Sequence, residues 1–197
     1  MLSPAPASIT TAALDSGKGL AVWFTGLSGA GKSTICRMLA PKLRARGYRV
    51  RVLDADSLRK TLCRDLGFSK TDRDENIARI SRLAKVLVDR GFIVLVAAIS
   101  PYQQARVAAR GHIGSLLEVY VNAPLSACIQ RDPKDLYARA LCGELRNFIG
   151  IDDPYEPPVK ADVHCKTEEE TARDSAAKVL AAVERRIAST SLLALAI

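Results

Sequence analysis

The chain has 197 residues, 48% of them hydrophobic, enough for one domain that buries about 70% of its unfolded surface and too few for a second full one. No apolar run approaches the roughly 20 residues that span a bilayer, and the longest, Phe92 to Ile99, is strand-sized. A net charge of +8 is spread along the chain and not gathered into a block with interleaved aromatics, so a solvated surface, or service to small and highly anionic substrates, fits better than a nucleic-acid partner.

Residues 1–20 are rich in Ala, Ser, Thr and Pro without the basic start or apolar centre of a signal peptide, and read as a mobile arm. A domain over residues 21–188 follows. The apolar strand Ala21 to Thr25 runs into Gly26-Leu27-Ser28-Gly29-Ala30-Gly31-Lys32-Ser33-Thr34, which has the spacing of a phosphate loop. Its glycines let successive backbone N–H groups turn toward one anion; Lys32 reaches the β- and γ-phosphates, and Ser33 offers a hydroxyl to Mg²⁺. Thr34 opens a helix whose positive end faces the same phosphates and which runs to Gly47.

A second strand, Tyr48 to Leu53, delivers Asp54 and Asp56 to the end of the sheet where ligands bind in open parallel sheets. Asp56 is the candidate on the magnesium side or as base; capping of a helix near Ser57 is the other use of the pair. Asp72 to Asp89 has the apolar spacing of a helix, Phe92 to Ala98 and Glu118 to Val121 of strands, and Ala161 to His164 of a weak one. Pro124 to Asn147 is helical in pattern, rich in charge, and followed by Pro154, Pro157 and Pro158, which suits a hinged lid. Thr167 and Glu170 match a capping box opening a last helix toward Arg186, and residues 189–197 form a short apolar tail suited to packing. Strands alternating with helices predict an α/β fold: a three-layer phosphate-loop fold with a mainly parallel five-stranded sheet and a helical lid.

The cysteines at 36, 63, 128, 142 and 165 are odd in number and contain no C-x-x-C, which argues against a disulfide framework or zinc site and for a reducing cytoplasm. His112 and His164 stand far apart and read as surface or structural residues. The D-x-x-G and N-K-x-D marks of GTPases are absent, and the strand ending Ala98-Ile99-Ser100 lacks the acidic end of a typical phosphate-loop ATPase.

Together the phosphate loop with its preceding Trp23-Phe24-Thr25, Asp65-Leu66-Gly67-Phe68-Ser69, Asp72-Arg73 with Glu75-Asn76, the run Ile93 to Tyr102, Glu118 to Val121, Arg131-Asp132-Pro133-Lys134 and Gly150 to Glu156 resemble adenylylsulfate kinase. The likeness runs from about Ala21 to Thr167. It implies Mg²⁺-dependent transfer of the γ-phosphoryl of ATP to the 3′-hydroxyl of adenylyl sulfate, giving 3′-phosphoadenylyl sulfate and ADP, in a homodimer. By motif position, residues Gly26 to Thr34 hold ATP, and Asp56, Ser57, Leu58, Arg59, Phe68, Arg73, Asn76, Ile99, Ser100, Lys134, Asn147 and Phe148 surround adenylyl sulfate. Lys32, Asp56, Ser100 and Lys134 are then the catalytic candidates, and Ser33 with Asp56 the metal side.

Residue chemistry agrees. Arg59 and Arg73 can clamp a doubly anionic phosphosulfate with forked donors. Phe68 and Phe148 suit an adenine sandwich or ordinary packing. Lys134 suits a cation brought in by the lid or a solvated helix residue. The resemblance labels Ser100 a phosphoserine intermediate, yet in-line transfer needs no protein nucleophile, and a role orienting substrate competes. The family's Asp-Gly-Asp-Asn reads Asp54-Ala55-Asp56-Ser57 here, and an alanine in a turn that needs positive φ would shift the reach of Asp56. Another phosphate-loop small-molecule kinase, or a non-catalytic nucleotide or nucleic-acid binder, are the competing readings.

Overall fold

A computed structural model describes residues 19–195, with side chains described to residue 189. The expected arm lies outside the described residues but for its last two positions. Five parallel strands form one sheet in the order β2-β3-β1-β4-β5: β1 Leu20–Thr25, β2 Val50–Asp54, β3 Ile93–Ala97, β4 Leu116–Asn122 and β5 Val163–Lys166. The central strand β1, LAVWFT, is buried at all six positions, as a strand covered on both faces must be.

Alternation along β1 divides the core into two. Leu20, Val22 and Phe24 face α1 (Lys32–Arg44) and α7 (Ala172–Leu195), while Ala21 and Trp23 face α3 (Lys70–Asp89) and α4 (Gln103–Ile113). Each large side chain buried in this way contributes about 1.5–3 kcal/mol. Two-sided burial of one sheet therefore fixes the strands and leaves their carboxyl ends to build the site.

Several elements differ from the sequence expectation for identifiable reasons. Helix α4 escapes a reading by apolar spacing because its buried positions are Arg106, Ala109 and Ile113, with a charged residue where the periodicity asks for an apolar one. The lid is two short helices, α5 (Leu125–Arg131) and α6 (Leu136–Leu141), not one helical stretch to Asn147. Pro133 interrupts it, and the Asp132 carboxylate accepts the N–H groups of Leu136 and Ala138, both at 2.9 Å, capping α6. Strand β5 begins two residues later than expected.

The last helix is capped by Thr171, whose hydroxyl accepts the Asp174 N–H and donates to the Asp174 carboxylate at 2.6 Å. Thr167 instead donates to the Ala30 carbonyl, so the capping box stands four residues beyond the expected one. Helix α7 continues through Leu195, past the start of the expected tail. No described helix is long and apolar enough to cross a membrane. All five cysteines are free, and only Cys142 is exposed.

Gly26 sits at φ 149°, and a Cβ there would stand 2.2 Å from the Val121 carbonyl oxygen. Gly26→Ala is expected to lower stability by about 1–3 kcal/mol and to remove nucleotide binding. Thermal unfolding with and without ATP checks both.

Candidate active site

The phosphate loop is suspended between neighbouring strands, with the Gly26 N–H donating to the Ile99 carbonyl beyond β3 and Gly26 packed against Val121 of β4. Gly31, at φ 108°, caps α1, whose first turn holds no acidic residue to neutralise its positive end. Lys32 is only 9% exposed and donates to the carbonyls of Gly26 and Leu27, each at 2.8 Å. Burial draws its pKa from 10.5 down to about 8, against the opposing pull of Asp56.

The aspartate that ends β2 and the one in the turn after it have separate positions. One oxygen of Asp54 accepts the Ser33 hydroxyl at 2.7 Å and the other accepts the N–H groups of Asp56 and Ser57, capping the single turn α2 (Ala55–Leu58). Asp56 points to the lid and forms an ion pair with Lys134. The carboxylate beside the loop hydroxyl is thus Asp54's and not that of Asp56. Ala55 is not among the described residues with positive φ, so the alanine strains nothing.

On the other side stand the acceptor candidates. Arg59 donates to the carbonyls of Leu66 and Gly67 and lies 4.5 Å from the centre of the Phe68 ring, which is 55% exposed. Arg73, 8% exposed, joins two loops by donating to the Phe68 carbonyl at 3.1 Å and the Asn147 carbonyl at 2.5 Å. Burial lowers the pKa of both guanidiniums, yet each stays charged. Asn76 is buried with its Oδ1 unpartnered, an acceptor that no protein group satisfies. Phe148 meets Tyr137 edge-on at 5.0 Å and packs partly into the core, whereas Leu58 packs on the opposite core face and Ser57 is exposed.

Ser100 is 1% exposed, at φ 41°. Its Oγ accepts the Trp23 indole N–H at 3.1 Å, and its carbonyl accepts from Arg106 and Thr25. None of these partners is a base. Ile99 presents its carbonyl to Thr25 and Gly26.

Three residues outside the expected set close the loop from behind. Thr167 donates to the Ala30 carbonyl, Arg131 to the Gly29 carbonyl and the Thr167 carbonyl, and Tyr137 to the Ser28 carbonyl. Arg131 heads the run to Lys134 that carries part of the resemblance, and that run was the one available signal for it.

The sequence profile of the adenylylsulphate kinase family matches residues 18–166. An adenylyl-sulfate kinase of Microcystis aeruginosa is 57% identical over 162 residues, 82% of this chain and 90% of that relative. The chain belongs to the adenylylsulphate kinase family. Among solved structures, the Mycobacterium tuberculosis APS kinase in complex with AMPPNP and APS superposes with a TM-score of 0.83 at 43% identity, covering 85% of this chain and 98% of that one. A hexameric APS kinase from Thiobacillus denitrificans gives a TM-score of 0.65 at 31% identity over 85% of this chain and 29% of that one.

The depressed Lys32 pKa yields a signed prediction. Between about pH 8 and 10.5 the unfolded chain keeps a proton that the folded free protein has shed, so this group's contribution to stability improves with rising pH. ATP, which draws the ammonium onto its phosphates, is expected to take up close to one proton on binding near pH 9 and none near pH 7. Titration calorimetry in buffers of different ionisation enthalpy measures this directly; zero uptake near pH 9 contradicts a buried Lys32.

Proposed function

We propose that the chain transfers the γ-phosphoryl of ATP to the 3′-hydroxyl of adenylyl sulfate, forming 3′-phosphoadenylyl sulfate and ADP, the second step of sulfate activation. The features that carry this reading are the phosphate loop after β1 and, on the segment after α2 and on α3, Arg59, Arg73 and the buried Asn76 with its unpartnered Oδ1, which we read as the two sides of one crevice. The Asp56–Lys134 pair bridges the α2 side of the crevice and the lid.

Phosphoryl transfer asks mainly for alignment and for positive charge around the moving group. The loop N–H groups, Lys32 and the α1 terminus hold the donor phosphates. Among the described residues no cluster of three or more His, Cys, Asp or Glu forms a cage for a metal, which fits Mg²⁺, an ion that keeps waters and leans on phosphates with one or two protein groups. Ser33 and Asp54 are the residues that would hold it, in place of the expected Ser33 and Asp56; when bound, Mg²⁺ neutralises charge on the β- and γ-phosphoryl oxygens.

Asp56 then faces the acceptor side, placed to receive the 3′-hydroxyl proton, and Lys134 passes from Asp56 to the transferring phosphoryl group. Arg59 and Arg73 clamp the phosphosulfate, and Phe68 with Phe148 receives the adenine between its rings, with Phe68 offering the open face. Ser57, Leu58, Ile99 and Asn147 complete the walls of that pocket. Ser100 fixes the strand end through Trp23 and takes no phosphate. The family resemblance and the thiol chemistry of five free cysteines support a homodimer in a reducing cytoplasm.

Parallel incubation of ATP with adenylyl sulfate, AMP and simple sugars should phosphorylate the first; preferential turnover of AMP overturns the assignment. Lys32→Ala is expected to lower turnover by about 10²-fold or more while the fold survives, the scale of losing one preorganised charge. Ser100→Ala is expected to retain turnover. Its loss together with an enzyme-bound phosphate in the parent protein would restore the covalent route.

A further inference from the structure

The segment from Arg59 to Ser69, between α2 and α3, carries two of the acceptor-side residues, Arg59 and Phe68, yet has no strand or helix of its own. Short turn bonds such as Cys63 N–H to Leu58 carbonyl shape it locally, and Cys63 seats it with a fully buried side chain. A segment of this kind drifts unless something outside it fixes its position.

Two of its ties belong to the pocket itself. Arg59 donates to Leu66 and Gly67 carbonyls from within the segment and moves with it. Arg73 reaches the Phe68 carbonyl from α3, but it is a candidate clamp for the phosphosulfate. A bound dianion competes for both guanidiniums, so neither supplies a support independent of the ligand.

The third tie is Arg79, also on α3. Its guanidinium forks onto Asp65, with Nη1 at 2.6 Å from Oδ1 and Nη2 at 2.8 Å from Oδ2, while Nη1 also donates to the Leu62 carbonyl at 3.0 Å. The remaining Nε donates to Glu75 at 3.0 Å, and Glu75 accepts from Arg82 as well. Arg79 lowers the pKa of both carboxyls, through the hydrogen bonds it makes to them. Asp65 is 56% exposed, and an exposed pair of this kind adds little to stability. What the fork supplies is geometry, since three planar bonds define where residues 62–65 lie against the helix.

We propose that Arg79 is a positioning residue of the acceptor pocket, clamping Asp65 and the Leu62 carbonyl to α3 so that Arg59 and Phe68 are held in place before adenylyl sulfate arrives. It touches neither substrate. The proposal rests on the acceptor reading above, and it assigns to the Arg79–Asp65 fork an effect on one substrate alone.

The test is steady-state kinetics on the full chain with Arg79→Ala, Arg79→Lys, Asp65→Ala and the double alanine variant, alongside melting temperatures. Arg79→Ala and Asp65→Ala are expected to raise the KM for adenylyl sulfate about tenfold, with the KM for ATP within about twofold of the parent value, the pattern of a misplaced binding loop. Lysine, which has no fork, is expected to restore little. The double variant is expected to be no worse than Arg79→Ala, because both changes break one coupled unit.

An unchanged KM for adenylyl sulfate, an equal rise for ATP, full rescue by lysine, or effects that add in the double variant each overturn the proposal. Asp65 is exposed, so Asp65→Ala keeps the test open should Arg79→Ala fail to fold. Failure of the parent protein to phosphorylate adenylyl sulfate overturns the acceptor reading instead, so the two failures are distinguishable.

Discussion

A buried ammonium organises this molecule. Lys32 leaves water at an energetic cost that shows in its lowered pKa, and what it gains are two carbonyls of its own loop. The other loop carbonyls are tied from behind: Ser28 by Tyr137, Gly29 by Arg131 and Ala30 by Thr167. With these oxygens engaged, the N–H groups that the loop does not spend on the Ile99 and Leu27 carbonyls are left, with the α1 terminus, to make a site for polyphosphate. The loop can take this shape only because Gly26 lets the chain pass within van der Waals reach of Val121, which ties the site to the pairing of β1 with β4.

Parallel pairing on the other side of β1, with β3 and through it β2, places the remaining site residues. In a parallel sheet all strands end on one side, so β1, β2 and β3 deliver Gly26, Asp54 and Ser100 to one rim. Both carboxylates stand at the start of the single helical turn α2: Asp54 is used as its cap and meets Ser33, while Asp56, in its first turn, pairs with Lys134 of the lid. One helical turn thus converts two nearby aspartates into groups with different partners, and different partners permit different roles.

Much of this was legible in the sequence. The phosphate loop, the five strands and helices α1 and α3 follow from spacing and apolar periodicity, because each is local and each agrees with its neighbours. What was not legible depended on contacts distant in the chain. The division of labour between Asp54 and Asp56 turns on a cap whose second oxygen meets a loop twenty-one residues earlier. Helix α4 was hidden because Arg106 occupies its buried stripe, and the backing residues Thr167, Arg131 and Tyr137 lie more than 100 residues from the loop they brace.

Arg106 also explains how strain is tolerated at the rim. The three described non-glycine residues with positive φ are Ser100, Asp135 and Asn147, one at the end of β3, one beside Lys134 in the lid and one beside Phe148. Conformations of this kind cost about 1–3 kcal/mol each and persist only where neighbours over-determine them. At Asn147 the determinants are Arg73 on the carbonyl and Asp152 on the N–H. At Ser100 they are Trp23 on the hydroxyl and Arg106 on the carbonyl, and Arg106, 4% exposed, further holds the carbonyls of Pro101 and Glu156 while pairing with Glu118 at 3.2 Å. A buried ion pair adds little net stability, but removing one partner costs about 3–5 kcal/mol. Arg106 therefore fits poorly as a device for stabilising the core and well as a fixed strut: it locks the strand end that carries Ile99 and Ser100 to the segment around Glu156, so that this rim keeps one shape.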